Sequence, residues 1–138
     1  MLGAVLDTNV VVSAAIKPAG RQAQILQMAL SGVFRFFVSE ALLEEYEGVL
    51  RRPRFGLTPG KVTALLRDIR NAAILTRPQE ELRVARDPAD DKVLACAVAA
   101  HADYLVTGNL KDFPDHFRRT TVVSPQQFET ILVGSLES

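Results

Sequence analysis

The stretch DPADDKVLACAVAAHADYLVT, residues 87–107, combines a helix start, a helix of small residues and a strand in direct succession. Asp87 is a favourable N-cap and Pro88 suits the first helical position, so they predict a helix that runs to about Ala102. The apolar segment Tyr104–Thr107 then predicts a strand. A helix that leads directly into a buried strand is typical of α/β proteins.

The same alternation continues on both sides of this stretch. Further strands are predicted at Leu2–Leu6, Val33–Val38, Ala73–Thr76 and Thr120–Val123. Further helices are predicted from Arg21 and after the caps Ser39, Thr58 and Ser124. We interpret residues 7–9 as a loop and residues 108–119 as a loop or short helix. The pattern predicts one three-layer α/β/α domain over residues 1–138, with a mainly parallel central sheet and a short tail after about residue 128.

Composition excludes several classes of protein. The chain has 16 Lys and Arg against 16 Asp and Glu, which argues against a generally basic nucleic-acid coat protein or a polybasic membrane binder, though not against a local basic patch. The single cysteine, Cys96, excludes an internal disulfide and a zinc site built on several cysteines. The sequence contains no leader pattern and no membrane-spanning run, so we expect a cytoplasmic protein without a membrane partner.

Polar residues follow two of the predicted strands. Asp7 comes directly after strand 2–6, where a buried acid is costly unless something binds it, although a loop Asp can also cap its own turn. Asn109 and Asp112 follow strand 104–107 and are also common turn residues. Because the carboxyl ends of parallel strands meet at one edge of a sheet, we expect these side chains to lie close together.

Three acids, Asp87, Asp90 and Asp91, crowd at the start of the helix after residue 87. Capping and the helix dipole explain Asp87 and in part Asp90. A third carboxylate adds repulsion that a bound cation would relieve. Asp91 leads directly into the apolar stripe of that helix, so this cluster is a candidate ligand group.

The helix after Ser39 carries a further candidate acid. At about 100° per residue, Glu44 points to water, whereas Glu45 and Glu47 border the apolar face on its two sides. Helical geometry alone does not choose between Glu45 and Glu47. Together with the other acids, these residues place oxygen ligands at one edge of one sheet, which suits one or two Mg²⁺ or Mn²⁺ ions.

Four motifs in order make the sequence similar to the PIN-domain ribonucleases, and most to the branch of toxins from type II toxin–antitoxin modules (VapC-like). The motifs are LDTNVVVSA, SEALLEEYEGVLRRP, DPADDKVLACAVAAHADYLVTGN and LKDF, which span residues 6–113. The resemblance itself extends from about residue 5 to residue 128. It implies a PIN fold and Mg²⁺- or Mn²⁺-dependent cleavage of RNA.

The resemblance also implies the site residues. Its catalytic and metal-binding acids correspond to Asp7, Glu45, Asp91 and one acid after the strand 104–107. Many relatives have Thr-Gly-Asp at that fourth place, whereas this chain has Thr107-Gly108-Asn109 and offers Asp112 three residues later; we favour Asp112. Supporting roles fall to Thr8, Asn9, Asp90, Thr107 and Asn109.

The resemblance further implies partners: an RNA substrate, a small antitoxin protein and a second copy of the chain in a homodimer. Phosphate contacts are expected from a set of basic residues, which can equally be a solvated face. These are Arg51, Arg52, Arg54 and Lys111.

Two other functions remain open at this point. In the first, Asp7 acts as the nucleophile of a phosphatase-like phosphoryl-transfer enzyme. The haloacid-type phosphatases carry a second Asp two residues after the first, and Asn9 stands there in this chain, which counts against that function. In the second, the chain is a PIN-like binding module whose catalytic site has decayed, for which Asn109 is the only indication.

Overall fold

The strands form one six-stranded sheet. The computed structural model describes the backbone of residues 1–137 and the side chains of residues 1–136. The strands are β1 Gly3–Leu6, β2 Arg35–Val38, β3 Ile74–Leu75, β4 Tyr104–Val106, β5 His116–Phe117 and β6 Thr120–Val123. Their order is β3-β2-β1-β4-β6-β5, and each adjacent pair is parallel except β5 and β6. The mainly parallel sheet is therefore confirmed.

Six helices surround this sheet. They are α1 Thr8–Ile16, α2 Arg21–Leu30, α3 Glu40–Leu50, α4 Pro59–Ala72, α5 Pro88–Ala100 and α6 Pro125–Glu137. Predicted caps start several of them; for example, Ser39 Oγ accepts the Leu42 N–H, and an Asp87 carboxylate oxygen accepts the Ala89 N–H. Helix α5 packs against β1, β2 and β4, and α2 packs against β2, in the expected α/β/α arrangement. Within the described residues, no helix is long and apolar enough to cross a membrane.

Two local predictions were wrong, and a third was incomplete. Residues 7–9 are not a loop, because Asp7 caps α1, which begins at Thr8. That helix buries residues 10–12 and 14, so its sequence lacks the alternation of polar and apolar faces by which a surface helix is recognised. The expected tail after residue 128 is the rest of α6, as far as the structure describes it. Within residues 108–119, a short strand, β5, accompanies the short helix, a 3₁₀ helix at Leu110–Asp112.

The strand order reverses direction at β1. The chain leaves β1 towards β2 and β3 on one side and then returns to β4 on the other side. In parallel sheets such a switch opens a crevice at the carboxyl ends of the two strands. Asp7 and Thr107, which directly follow β1 and β4, lie at that crevice, and the Asp7 N–H donates to the Val106 carbonyl at 2.9 Å.

A buried tyrosine fixes the end of β1 against α3. Tyr46 is completely buried, and its hydroxyl donates a hydrogen bond to the Leu6 carbonyl, one residue before Asp7. Burial holds the pKa of Tyr46 well above its usual value, so the hydroxyl keeps its proton and remains a donor. In the sequence, Tyr46 is one residue of the apolar face of the helix after Ser39, and its hydroxyl is the only sign of this second role.

Candidate active site

Asp7 is the buried centre of the candidate site. Its side chain is 5% exposed, yet its carboxylate accepts three hydrogen bonds. Oδ2 accepts from the Thr107 hydroxyl at 2.7 Å and from the Asn9 amide at 3.1 Å, and Oδ1 accepts from the Thr8 N–H at 2.8 Å. Burial raises the pKa of Asp7, whereas the hydrogen bonds from Thr107 and Thr8 lower it. The carboxylate is therefore oriented by its neighbours.

The loop after β4 is tied to the same carboxylate. Asn9 accepts the Gly108 N–H at 3.1 Å with its side-chain oxygen. The Asn109 N–H donates to the Thr107 hydroxyl oxygen at 3.0 Å, which leaves the hydroxyl proton directed at Asp7. The predicted supporting residues Thr8, Asn9, Thr107 and Asn109 thus lie around Asp7, and Asn109 contributes through its backbone.

Three further acids act electrostatically on this centre. Beyond the effect of burial, the charges of Asp112 and Glu45 raise the pKa of Asp7. Burial, together with the charges of Asp7, Asp87, Asp112 and Asp91, raises the pKa of Asp90 to about 7. Asp7, Glu45, Asp90 and Asp112, which belong to four separate segments, therefore lie within electrostatic range of one another in the pairs named.

Asp91, the expected third acid, has other partners. Its Oδ1 accepts the Val84 N–H at 3.0 Å and the Ala85 N–H at 2.8 Å, so its side chain holds the segment that precedes α5. Asp90, which we expected to support the site, is the acid whose pKa responds to Asp7 and Asp112. Because the 84–85 backbone holds the Asp91 carboxylate, Asp90, whose pKa responds to Asp7, is the alternative candidate at the start of α5.

The structure also separates the acids of α3. The Glu45 side chain is 20% exposed, acts on Asp7 and lies 3.6 Å from the Lys92 ammonium. Glu47 forms an ion pair with Arg51 at 2.9 Å along the same helix. Glu45 therefore faces the site, and Glu47 belongs to the surface of α3.

The donor set suits a hard divalent cation, since it consists of carboxylate and hydroxyl oxygens. Thr8 Oγ1 is the one buried side-chain polar atom of the described residues that has no hydrogen-bond partner, and it lies next to Asp7. Within residues 1–136, no three acidic, histidine or cysteine side chains are already arranged to hold an ion. These carboxylates repel one another in the metal-free protein, and a bound cation would let them move closer together.

The predicted RNA-contact residues fall in different places. Arg51 is paired with Glu47 and hydrogen-bonds Thr63, and the Arg54 guanidinium stacks on Phe55 at 4.8 Å from the ring centre. Lys111, in contrast, lines a cavity of about 680 Å³ that Asp90 and Asp112 also line. We call this cavity the acidic cleft; residues 84–87, the first turns of α5 and residues 111–114 surround it.

Comparison with known proteins places the chain in a family. The PIN-domain family matches residues 3–111. In the solved structure of VapBC2 from Rickettsia felis bound to a DNA fragment from their promoter, one chain shares the fold with a TM-score of 0.58. The two chains are 16% identical, over 89% of this chain and 98% of the other. No curated protein matches the sequence. Because the family match covers most of its length, this chain belongs to the PIN-domain family.

Proposed function

We propose that the chain is a metal-dependent endoribonuclease that hydrolyses RNA phosphodiester bonds and acts as the toxin of a toxin–antitoxin pair. The observation that carries this proposal is the buried Asp7 carboxylate, held by hydrogen bonds at the switch point of a PIN fold and within electrostatic range of Glu45, Asp90 and Asp112. Helix capping alone does not account for a buried carboxylate whose pKa also responds to acids on two other segments, Glu45 and Asp112. Such a group of acids is typical of a site that binds a cation.

Each residue of the site has a definite task in this proposal. Asp7, Glu45, Asp90 and Asp112 would hold one or two Mg²⁺ or Mn²⁺ ions. When bound, such ions supply a water that is nucleophilic at neutral pH and stabilise the leaving oxygen of a phosphodiester. Thr107 and Asn9 orient the Asp7 carboxylate through the hydrogen bonds described above, and Tyr46 holds the end of β1 that presents it.

The proposed partners follow from the same assignment. The solved neighbour is a VapBC2 assembly, which supports a small antitoxin protein as the partner of this chain. We propose, in addition, a homodimer that acts in the cytoplasm. Size-exclusion chromatography with light scattering would show the dimer directly.

RNA cleavage by the purified chain tests the proposed function. We expect internal cleavage of RNA in Mg²⁺ or Mn²⁺, and no cleavage when EDTA replaces the metal. Release of phosphate from small monoesters through a covalent phosphoenzyme would instead support the phosphatase alternative. Binding of RNA without cleavage under any of these conditions would support the decayed module and contradict our proposal.

The acids of α3 offer a matched set of variants. Glu45→Gln should lower the cleavage rate by at least about 10-fold, because it removes a charge from a dication site. Glu44→Gln should be silent, and Glu47→Gln should cost at most about 1 kcal/mol of unfolding free energy through its lost surface pair with Arg51. Cleavage rates and Mn²⁺ calorimetry on the three variants check this. Damage from Glu47→Gln alone would show that the wrong side of α3 has been assigned.

The fourth ligand position is tested on the loop after β4. Asp112→Asn should weaken Mn²⁺ binding by about 10-fold, because a carboxylate contributes a full charge to the dication site. Asn109→Ala should change it by less than about twofold, since the contact of Asn109 with Thr107 is made by its backbone. Thermal-shift titration with Mn²⁺ reports both affinities. If Asn109→Ala loses the metal and Asp112→Asn keeps it, the assignment has to be reversed.

A further inference from the structure

Two cations lie at the acidic cleft, on different chain segments. Arg86 belongs to the segment that precedes α5, and Lys111 belongs to the 3₁₀ helix after β4. Both residues are exposed, and both line the cavity that also contains Asp90 and Asp112. A positively charged group thus borders the candidate metal site on each of these two segments.

Neither cation is engaged elsewhere. Within the described side chains, Arg86 and Lys111 form no ion pair within 4.0 Å, whereas other arginines do. Arg118, for example, is paired with Glu80, and Arg119 with Asp103. A phosphate that binds Arg86 or Lys111 therefore breaks no existing ion pair.

Asp91 holds the backbone next to Arg86. The hydrogen bonds from the Val84 and Ala85 N–H groups to Asp91 immobilise the backbone directly before Arg86. A charge on an immobilised backbone loses less conformational freedom when it binds a ligand. The role of Asp91 is thereby explained without a place among the metal ligands.

The chemistry of the site requires such cations. A polyanionic strand is repelled by Asp7, Asp90 and Asp112, and a chain with a net charge of zero supplies no general attraction. Local cations at the cleft can compensate for this repulsion where the strand must approach. The acidic cleft offers two of them.

We propose that Arg86 and Lys111 bind backbone phosphates of the RNA strand at the acidic cleft, an inference that rests on the proposed nuclease function. They would position the strand beside the acids without reading its sequence, since phosphate contacts carry no base information. Binding of substrate would then depend on these two residues more than on other exposed cations of the chain.

The test is binding of a short fluorescein-labelled single-stranded RNA in EDTA, followed by anisotropy over a range of salt concentrations. The Arg86→Gln/Lys111→Gln double variant should raise the Kd at low salt by at least about fivefold and reduce the salt slope by about 1.4, or 0.7 for each phosphate contact. The control is Lys61→Gln/Arg67→Gln, which removes the same charge from exposed, unpaired positions on α4. It should leave the slope unchanged.

The outcomes separate this inference from the proposed function. If wild type binds and cleaves RNA but the Arg86/Lys111 variant binds it equally well, the inference alone is wrong. An equal loss in both double variants would also overturn it, because only total charge would then matter. If wild type binds no RNA in EDTA at any salt concentration but cleaves it in Mn²⁺, the inference alone is wrong. If wild type neither binds nor cleaves RNA in Mn²⁺, the nuclease function fails as well.

Discussion

Replacing Asp7 with asparagine is expected to lower the rate of RNA cleavage by at least about 100-fold. Asp7 is the buried carboxylate at the centre of the candidate site. The substitution removes its charge and preserves the shape of its side chain. The remaining amide oxygen can still accept the Thr8 N–H or the Thr107 hydroxyl that hold Asp7 now. The loss should therefore appear in cleavage and in Mn²⁺ affinity.

Folding provides the control for this variant. Burial raises the pKa of Asp7, so the ionised carboxylate costs stability in the metal-free protein, and its removal offsets the weaker hydrogen bonds of the amide. The melting temperature in EDTA should therefore stay within about 4 °C of wild type, a shift equivalent to about 1 kcal/mol. An Asp7→Asn protein that folds and cleaves RNA at the wild-type rate would contradict the site.

The second large effect is expected from Asp90→Asn, again a loss of at least about 100-fold in cleavage. The matched control is Asp91→Asn. The Val84 and Ala85 N–H groups both donate to Oδ1 of Asp91. An asparagine retains a side-chain oxygen that can accept both hydrogen bonds. Asp91→Asn should therefore stay within about threefold of wild type, as expected for a residue that bears no transition-state charge. A larger loss of cleavage from Asp91→Asn than from Asp90→Asn would show that Asp91 is the metal ligand.

The pH dependence of stability gives Asp90 a second signature. Its pKa is about 7 in the folded protein, above the ordinary aspartate value of 3.8, so ionisation of Asp90 opposes folding. This penalty is absent below about pH 4, grows as the pH rises towards 7 and is complete above it. In EDTA, Asp90→Asn should therefore raise the melting temperature more at pH 8 than at pH 5. An equal change in melting temperature at both pH values would show that folding does not raise the pKa of Asp90.

Much of the fold was predictable because local signals agreed with tertiary structure. The caps Ser39, Thr58 and Asp87 start α3, α4 and α5 where the sequence indicates. Helix α1 was not predicted, for the opposite reason. It buries residues 10–12 in one run, and a helix without a polar face does not show the helical period of polar and apolar residues. Sequence patterns therefore found the amphipathic elements and missed the one that is buried on most of its surface.

The sequence indicates which chain segments form the candidate site, but not which acid of each segment belongs to it. The rule that parallel strands gather their carboxyl ends located Asp7 and the loop after β4. The choice between neighbouring acids depends on their side-chain contacts, which the sequence does not show. Glu47 forms an ion pair with Arg51, and Asp91 accepts hydrogen bonds from the backbone of residues 84 and 85. For Asp90 a signal existed, since it lies four residues before the buried Leu94 and so shares its helical face.

The measurement that tests the central claim most directly is the position of Mn²⁺ in crystals of the wild-type chain, located by its anomalous scattering. The claim is that the acids around Asp7 form the metal centre of this PIN domain. We predict a peak bonded to carboxylate oxygens of Asp7 and Asp90, with Asp91 still bound to the Val84 and Ala85 N–H groups. A peak held by Asp91, or no peak at Asp7 when Mn²⁺ supports cleavage, would contradict it.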